Sequence, residues 1–264
     1  MRVLAVGDVC ADAGTRALVK ELPRLKRELN ADIVIVNGEN SDERNGISPA
    51  SASDIFAAGA DVITGGNHTL RHREIHPLLD ENPFLLRPHN MDAKYGNGYC
   101  LLDTGKTAVA VINLIGRVYL DSVSASDPFK ASDELTERAR IDGAKVILVD
   151  FHAEATSEKK ALGYYLDGRV SAVFGTHTHI QTADAQILNN KTGYVTDLGM
   201  TGVEDSVLGV KKEIIINRLK NGDTAKFEFA KGDCILSGCL FEVDEKSGNC
   251  ISAENIFRKI TLKR

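Results

Sequence analysis

The sequence lacks the features by which several large classes of protein are recognised. No apolar run approaches the roughly 20 residues needed to span a bilayer, and no repeat or low-complexity tract is present. The five cysteines are scattered without a C-x-x-C pair, so neither a disulfide framework nor a structural zinc site is expected. A formal net charge of -5 argues against a protein that wraps duplex nucleic acid, which normally carries a basic face. These absences favour a cytoplasmic protein with neither a membrane nor stable duplex nucleic acid as partner.

The composition is that of an ordinary globular protein. The chain has 264 residues, of which 43% are hydrophobic and 26% charged, without the depletion of apolar residues that marks disorder. Length alone does not decide between one large domain and two small ones. Because no Pro/Ser-rich linker interrupts the chain, one continuous domain over residues 1–264 is expected.

Short apolar runs recur along the chain and end abruptly in small or polar residues. Such runs, without clean alternation, are typical of strands covered on both faces, as in sheets sandwiched by helices. The runs are RVLAVGD, DIVIVNGEN, DVITGGNH, TAVAVINLIG, AKVILVDFH, SAVFGTH and GYVTDLG. Between the early runs, an amphipathic pattern predicts a helix over residues 14–30 that Pro23 kinks or restarts. Ser48 and Pro49 are the predicted cap and first residue of another helix.

The last part of the chain has a different pattern. From EIIINRL onward the sequence is typical of strand, turn and strand. The turn signals are Asn221-Gly222, Lys231-Gly232 and Ser247-Gly248. We therefore predict an α/β first part and a β-rich C-terminal part from about residue 212.

Metal-ligand residue types follow the predicted strands. Ligands of α/β sheets gather beyond the carboxyl ends of the strands. The residues found there are Asp8, Glu39, Asn40, Asn67, His68, His152, His177 and His179. A mixture of oxygen and imidazole ligands without thiolate favours Mn, Fe or Zn over a structural zinc site. Without His68 the set still holds seven residues, too many for one ion and enough for two ions that share a bridging carboxylate.

Each of these residues also has an ordinary structural explanation. Asp8 could cap the helix after Gly14, and His152 could be a core histidine with satisfied hydrogen bonds. The pair His177 and His179, taken alone, could lie solvated at a turn. All such explanations would have to hold independently, whereas one dinuclear site accounts for the whole set.

Several segments resemble the calcineurin-like metallophosphoesterases and, more specifically, their bacterial YmdB-type subfamily. The resemblance is carried by NGEN, by GGNH, by the block from Phe151 to Leu188, and by YVTDLGMTG with the following DSVLG. It extends over most of the chain, to about Gly209, and is looser in the C-terminal part. It implies an α/β fold in which two β-sheets pack as a sandwich flanked by helices (αββα).

The resemblance also implies an activity and a role for each residue. Members of the subfamily are associated with 2′,3′-cyclic nucleotides, so we expect a phosphodiesterase acting on small nucleotides such as 2′,3′-cyclic AMP. A hydroxide bridging two divalent or trivalent metal ions would be the nucleophile; Fe or Mn is expected, with Zn or Mg as alternatives. The implied ligands of the two ions are Asp8, Asn40 and His179 for the first, and Asn67, His152 and His177 for the second. Glu39 would bridge the ions, and His68 would be the acid that protonates the departing ribose oxygen.

The chain departs from the superfamily pattern at a few positions. Cys10 stands where the superfamily's Asp-x-His has histidine, a departure that the YmdB type shares. Residues 11–16 replace the usual GxPGR, and Leu70-Arg71 replaces an aromatic-acidic pair. These changes leave the ligands intact but bear on substrate preference. Residues 71–73 are interpreted as a solvated helix start rather than as positive charge at the mouth of the site.

Two other functions are compatible with the same residues. A phosphomonoesterase or phosphoprotein phosphatase would use the same dinuclear centre on a different ester. A non-catalytic, metal-dependent regulatory protein would bind a nucleotide there without hydrolysing it. The resemblance is also compatible with a homo-oligomer, although no stretch of the sequence identifies an interface.

Overall fold

Two β-sheets form the centre of the molecule in the computed structural model, which describes residues 1–262. Within that range the first sheet has seven strands, namely β1 (Arg2–Val6), β2 (Asp8–Val9), β3 (Ile33–Asn37), β4 (Val62–Thr64), β11 (Met200–Val203), β12 (Cys234–Val243) and β13 (Cys250–Ile260). The second sheet, counted over the same range, has six strands, namely β5 (Tyr99–Asp103), β6 (Ala108–Ile115), β7 (Val146–His152), β8 (Ala172–Thr176), β9 (Gln186–Ile187) and β10 (Gly193–Val195). Every apolar run identified in the sequence forms a strand.

The strand order brings parallel strands together in each sheet. In the first sheet β1, β3 and β4 are neighbours and run parallel, while β12 pairs antiparallel with β1 on one edge and with β13 on the other. In the second sheet β6, β7, β8 and β10 are parallel, with β5 and β9 antiparallel at the two edges. Parallel neighbours end side by side, so the residues that follow these strands gather at one edge of each sheet.

Helices cover the outer faces of both sheets. They are α1 (Ala11–Glu28), α2 (Pro49–Ala57), α3 (His76–Glu81), α4 (Pro128–Ile141) and α5 (Thr156–Leu166), with a short 3-10 helix at Arg73–Ile75. The remaining helix, α6 (Lys212–Asn221), has no buried residue. Ser48 caps α2 in a capping box with Ser51, and Pro49 is the first helical residue, as predicted. Pro23 lies inside α1 without dividing it, and the cap position of α1 is Cys10 rather than Asp8. Along residues 1–262, none of the helices has both the length and the apolar character needed to cross a membrane.

The hydrophobic core is layered because each strand alternates its side chains between two faces. Val3 and Ala5 of β1 point between the sheets, where they join a buried cluster that includes Leu148 and Phe174 of the second sheet. Leu4 lies on the opposite face, in the cluster that α1 and α2 complete. A third cluster packs α4 and α5 on the outside of the second sheet. This arrangement confirms the predicted αββα sandwich.

The predicted start of a β-rich part near residue 212 is wrong. Residues 212–221 form α6, and regular strands resume only with β12 at Cys234. Gly222 has a φ of 70° and its N–H bonds to the carbonyl of Arg218, so Asn221-Gly222 ends a helix instead of turning a hairpin. The run of β-branched isoleucines in EIIINRL was misleading because both helices and strands accommodate a short apolar run.

Candidate metal centre

The predicted ligands converge where the strands of the two sheets end. They follow or terminate five parallel strands, as Asp8 after β1, Glu39 and Asn40 after β3, Asn67 and His68 after β4, His152 at the end of β7, and His177 and His179 after β8. Asp8, Glu39, Asn40 and His152 are buried, and the others are partly buried. The structure therefore brings all eight residues to one site.

Glu39 lies at the middle of this cluster. Its Oε1 accepts a hydrogen bond from Asn40 Nδ2 at 2.8 Å and lies 3.3 Å from His152 Nε2. Its Oε2 accepts from the backbone N–H of His68 at 2.9 Å. The carboxylate thus contacts residues from both predicted halves of the ligand set.

The half that contains His152 is the more compact. His152 Nε2 lies 3.0 Å from Asn67 Oδ1 and 3.0 Å from His177 Nδ1. In the part of the chain that the structure describes, Glu39, His152 and His177 have ligand atoms within 4.8 Å of one another. Thr176 Oγ1 donates to Asp150 Oδ1, so it accepts from His152 Nδ1–H at 2.9 Å and leaves His152 Nε2 to face the site.

The other half surrounds a carboxylate oxygen without a partner. Asp8 Oδ2 accepts from the His177 N–H at 3.1 Å, but Asp8 Oδ1 is buried and has no hydrogen bond to the residues described. His179 Nε2 lies 3.8 Å from Asp8 Oδ1 and 3.3 Å from Asn40 Nδ2. A buried, unpartnered carboxylate oxygen is costly unless a cation or donor satisfies it.

The electrostatics of the cluster also suit a cation. Burial would raise the pKa of Glu39, but the adjacent His152 and His68 hold it well below its usual range. Burial opposes a charge on His152, yet the Glu39 carboxylate raises the pKa of His152 to about 9, so this position favours positive charge. A metal ion bound at His152 Nε2 would take the place of its proton. Burial and the neighbouring His152 lower the pKa of His177 to about 3, which keeps this imidazole neutral and its lone pair free. Carboxylates and neutral imidazoles are the ligands of divalent transition metals.

A buried ion pair holds the loop that carries both histidines after β8. His177 and His179 have φ values of 100° and 64°, in the left-handed region that non-glycine residues rarely adopt. Between them, the Thr178 N–H donates to Asp197 Oδ2 at 3.1 Å, and Lys159 Nζ donates to the same oxygen at 2.6 Å. Because Lys159 and Asp197 are each only 1% exposed, this pair fixes the loop from inside the protein.

The backbone beneath the cluster requires glycine at residue 66. A Cβ there would lie 2.2 Å from Glu39 Oε2 and 2.3 Å from His152 Nε2. The space that a methyl group would fill is therefore the space between the ligand atoms.

His68 faces a cavity beside the cluster. Its Nδ1 lies 2.9 Å from Asn40 Oδ1, and its side chain is 31% exposed. The cavity measures about 260 Å³ and is also lined by Glu39, His177 and His179. A side chain so placed can reach both a bound molecule and solvent.

The structure also places residues that the sequence prediction left out or misjudged. Glu154, two residues after His152, lies 3.0 Å from His177 Nε2 and lines the cavity. The sequence could have indicated Glu154, because it lies only two residues after the predicted ligand His152.

His72 is 7% exposed and contacts the carbonyl of Asn45, so the predicted solvated helix start is wrong for this residue, although Arg71 and Arg73 are exposed.

Comparison with known proteins identifies relatives over nearly the whole chain. A family model described as YmdB-like protein matches residues 4–256. The 2′,3′-cyclic-nucleotide 2′-phosphodiesterase of Bacillus subtilis (strain 168) is 43% identical over 258 residues, which cover 97% of this chain and 96% of the relative. The crystal structure of a novel phosphatase from Mycoplasma pneumoniae is 34% identical, with a TM-score of 0.93 over 99% of this chain and 94% of that chain. A calcineurin-like phosphoesterase from Bacillus subtilis, 12% identical with a TM-score of 0.59 over 99% of this chain and 90% of that chain, is similar in fold alone.

Proposed function

The chain belongs to the YmdB-like protein family, and from that premise we propose that it hydrolyses 2′,3′-cyclic nucleotides at a dinuclear metal centre. It is a phosphoesterase, as are its relatives, which are named as a phosphodiesterase and a phosphatase. Its metallophosphoesterase fold implies divalent metal ions. The cyclic nucleotide is the substrate class of the Bacillus subtilis relative, and we extend it to this chain.

The unpartnered Asp8 Oδ1 is the observation that carries the proposal. This oxygen is buried beside His152, His179 and Glu39 and has no hydrogen bond to any of residues 1–262, so a cation bound there would give it the partner that it lacks. Burial raises the pKa of Asp8, and the nearby His179 and His152 offset this effect only in part. The space preserved by Gly66 lies beside the same ligand atoms. The residues therefore fit bound metal.

The proposed ligands divide between two ions. They are Asp8, Asn40 and His179 for one ion, Asn67, His152 and His177 for the other, and Glu39 between them. We propose Mn or Fe, with Zn or Mg as alternatives; the set combines oxygen and imidazole donors without a thiolate. Such ions would supply a nucleophile at neutral pH and positive charge beside the phosphoryl oxygens.

His68 is the proposed acid. Its Nδ1 is engaged by Asn40 Oδ1, so Nε2 is the ring nitrogen left for the substrate. As the oxygen of hydroxide bonds to phosphorus, the bond from phosphorus to one ribose oxygen breaks, and His68 Nε2 gives that oxygen its proton. An alkoxide is a poor leaving group, which is why a positioned acid accelerates its departure.

The test is hydrolysis of 2′,3′-cyclic AMP by purified protein reconstituted with Mn²⁺. We expect a nucleoside monophosphate as product, identified by chromatography as the 2′ or 3′ isomer. Asn67→Ala should lose the turnover because it removes an oxygen 3.0 Å from His152 Nε2. Wild-type protein that contains the metal and leaves the cyclic nucleotide intact would refute the proposed substrate.

A phosphomonoesterase is the second candidate. The Mycoplasma pneumoniae structure, which superposes with a TM-score of 0.93, is described as a phosphatase. Adenosine 3′-monophosphate and p-nitrophenyl phosphate should therefore be assayed beside the cyclic diester. A higher kcat/KM for either monoester would favour the phosphatase over the diesterase.

A further inference from the structure

One wall of the cavity beside the metal centre is apolar and has no part in the chemistry proposed above. It is formed by Leu208, Val210, Phe227 and Phe229, in the same cavity as His68, His177 and His179. A second cavity of about 650 Å³ shares Phe227 and Phe229 with the first. Phe227 is 51% exposed and Leu208 43% exposed, so neither serves the hydrophobic core. Ligand sites commonly combine such an apolar wall with a few polar groups that fix the ligand's orientation.

Two paired segments build this wall. The Lys211 N–H donates to the Glu228 carbonyl at 2.9 Å, and the Ala230 N–H donates to the Gly209 carbonyl at 2.8 Å. Between these two hydrogen bonds, Phe229 forms an antiparallel bridge with Val210. The wall is thus a fixed part of the fold.

Helix α6 supports Phe227 from behind. The Arg218 guanidinium lies over the Phe227 ring, 4.0 Å from its centroid, and Arg218 Nη2 donates to the Ala225 carbonyl at 2.9 Å. No residue of α6 is buried, so support of this ring is a clearer role for the helix than core packing. The guanidinium covers one face of the ring, and Phe227 lines both cavities.

We propose that Phe227 stacks against the nucleobase of the substrate and that Leu208, Val210 and Phe229 complete an apolar base pocket. His179 Nδ1 lies 3.3 Å from the Leu208 carbonyl, so the pocket adjoins the metal ligands and could hold the base of a nucleotide whose phosphate is at the metals. Stacking on a single ring tolerates any base, because every base has a π-face. This inference rests on the proposed function for the position of the phosphate.

The kinetic test compares substrates with and without a base. Wild type and Phe227→Ala, both reconstituted with Mn²⁺, are assayed on 2′,3′-cyclic AMP and on 1-O-methylribose 2′,3′-cyclic phosphate. The ratio of kcat/KM for the nucleotide to kcat/KM for the base-free diester should fall about 5- to 150-fold in Phe227→Ala, the effect of losing one base-aromatic stack. The loss should appear in KM for the nucleotide, and Phe227→Tyr should retain the wild-type ratio.

Phe257→Ala is the matched control. Phe257 is 45% exposed on β13 and lines neither cavity, so its removal should leave the ratio unchanged. An unchanged ratio in Phe227→Ala would overturn the base pocket while leaving the diesterase intact. Failure of metal-loaded wild type on both substrates would instead reject the proposed function.

A binding measurement tests the pocket even without turnover. The chain contains no tryptophan, so Phe227→Trp introduces a single fluorophore. Titration of the Mn²⁺-loaded variant with adenosine 3′-monophosphate should quench its emission to saturation, whereas inorganic phosphate and the variant Phe257→Trp should show no saturable quenching. Equal quenching by inorganic phosphate, or no quenching by the nucleotide, would overturn the inference.

Discussion

His68 is the one residue of the cluster whose predicted role is chemical rather than ligating. His68→Ala should lower turnover of 2′,3′-cyclic AMP about 10²- to 10⁴-fold, the usual contribution of a positioned acid. The loss should be smaller on bis(p-nitrophenyl) phosphate, because nitrophenolate departs without a proton. Measurement of kcat on both substrates separates the two effects. His76→Ala is the control, since His76 contacts the Leu70 carbonyl and not the ligand cluster, and equal losses on both substrates would reject His68 as the acid.

Gly66 tests the packing of the ligand atoms. Gly66→Ala should abolish high-affinity Mn²⁺ binding, because the new Cβ would take space 2.2 Å from Glu39 Oε2. Metal content after gel filtration measures this directly. Gly105→Ala is a suitable control: Gly105 has a φ of 74° and nothing within 4 Å of its Cβ position, so that variant is strained without touching the site. Full metal content in Gly66→Ala would contradict the proposed geometry.

The sequence predicts the ligands better than it predicts the residues that hold them in place. Asp8, Glu39 and His152 could be found because each ends an apolar run, and the ends of parallel strands meet. Asp197 could not, since its partner Lys159 lies 38 residues away on a helix that no local pattern relates to it. Asp150 is buried and accepts hydrogen bonds from Asn37, Thr64 and Thr176, which belong to three other strands, so local sequence does not reveal its role either.

The loop after β8 depends on elements on either side of it. Asp197 follows β10 and Lys159 belongs to α5, and together they hold the Thr178 N–H between the two ligand histidines. Lys159→Met should lower the free energy of unfolding by about 3–5 kcal/mol, because the Asp197 charge would stay buried without its partner. Urea denaturation followed by circular dichroism measures the change.

The loss of Lys159 should also weaken metal binding, since a looser loop holds His177 and His179 less firmly. Lys212→Met is the matched control, because Lys212 pairs with Asp205 at the surface, where solvent screens the interaction. It should leave both urea unfolding and Mn²⁺ content nearly unchanged. Equal behaviour of the two variants would show that the buried pair does not position the loop.

At the level of elements, helix α6 shows where sequence patterns fail. Three successive isoleucines followed by Asn-Gly favour a strand and a hairpin turn, yet residues 212–221 are helical. A strand needs a neighbour with which to pair, and local sequence does not reveal whether one is near. The Gly222 backbone and the contact of Arg218 with Phe227 are specific to the helix, and both depend on its position in the fold.

For the whole molecule, the metal centre depends on both sheets and on both ends of the chain. Asp8 follows β1, which pairs with β12 from Arg2 opposite Glu242 to Val6 opposite Gly238. Neither end of the chain therefore forms a complete sheet without the other. We propose that the chain folds as one domain, as the absence of a linker predicts; residues 263 and 264 of that predicted range lie outside the described residues.

Because the site joins both sheets, metal binding should stabilise the entire fold. A ligand that binds only the folded state at 100 times its Kd adds about 2.7 kcal/mol. For a protein of this size, that corresponds to about 5–11 °C in Tm. Calorimetry of Mn²⁺-loaded protein should thus give a higher Tm than the same protein dialysed against EDTA, in which Asp8 Oδ1 has no cation to neutralise it. In Glu39→Gln this difference in Tm should be smaller, because the variant lacks the carboxylate between the two groups of ligands. A difference in Tm as large as that of the wild type would show that the stabilising metal binds elsewhere in the molecule.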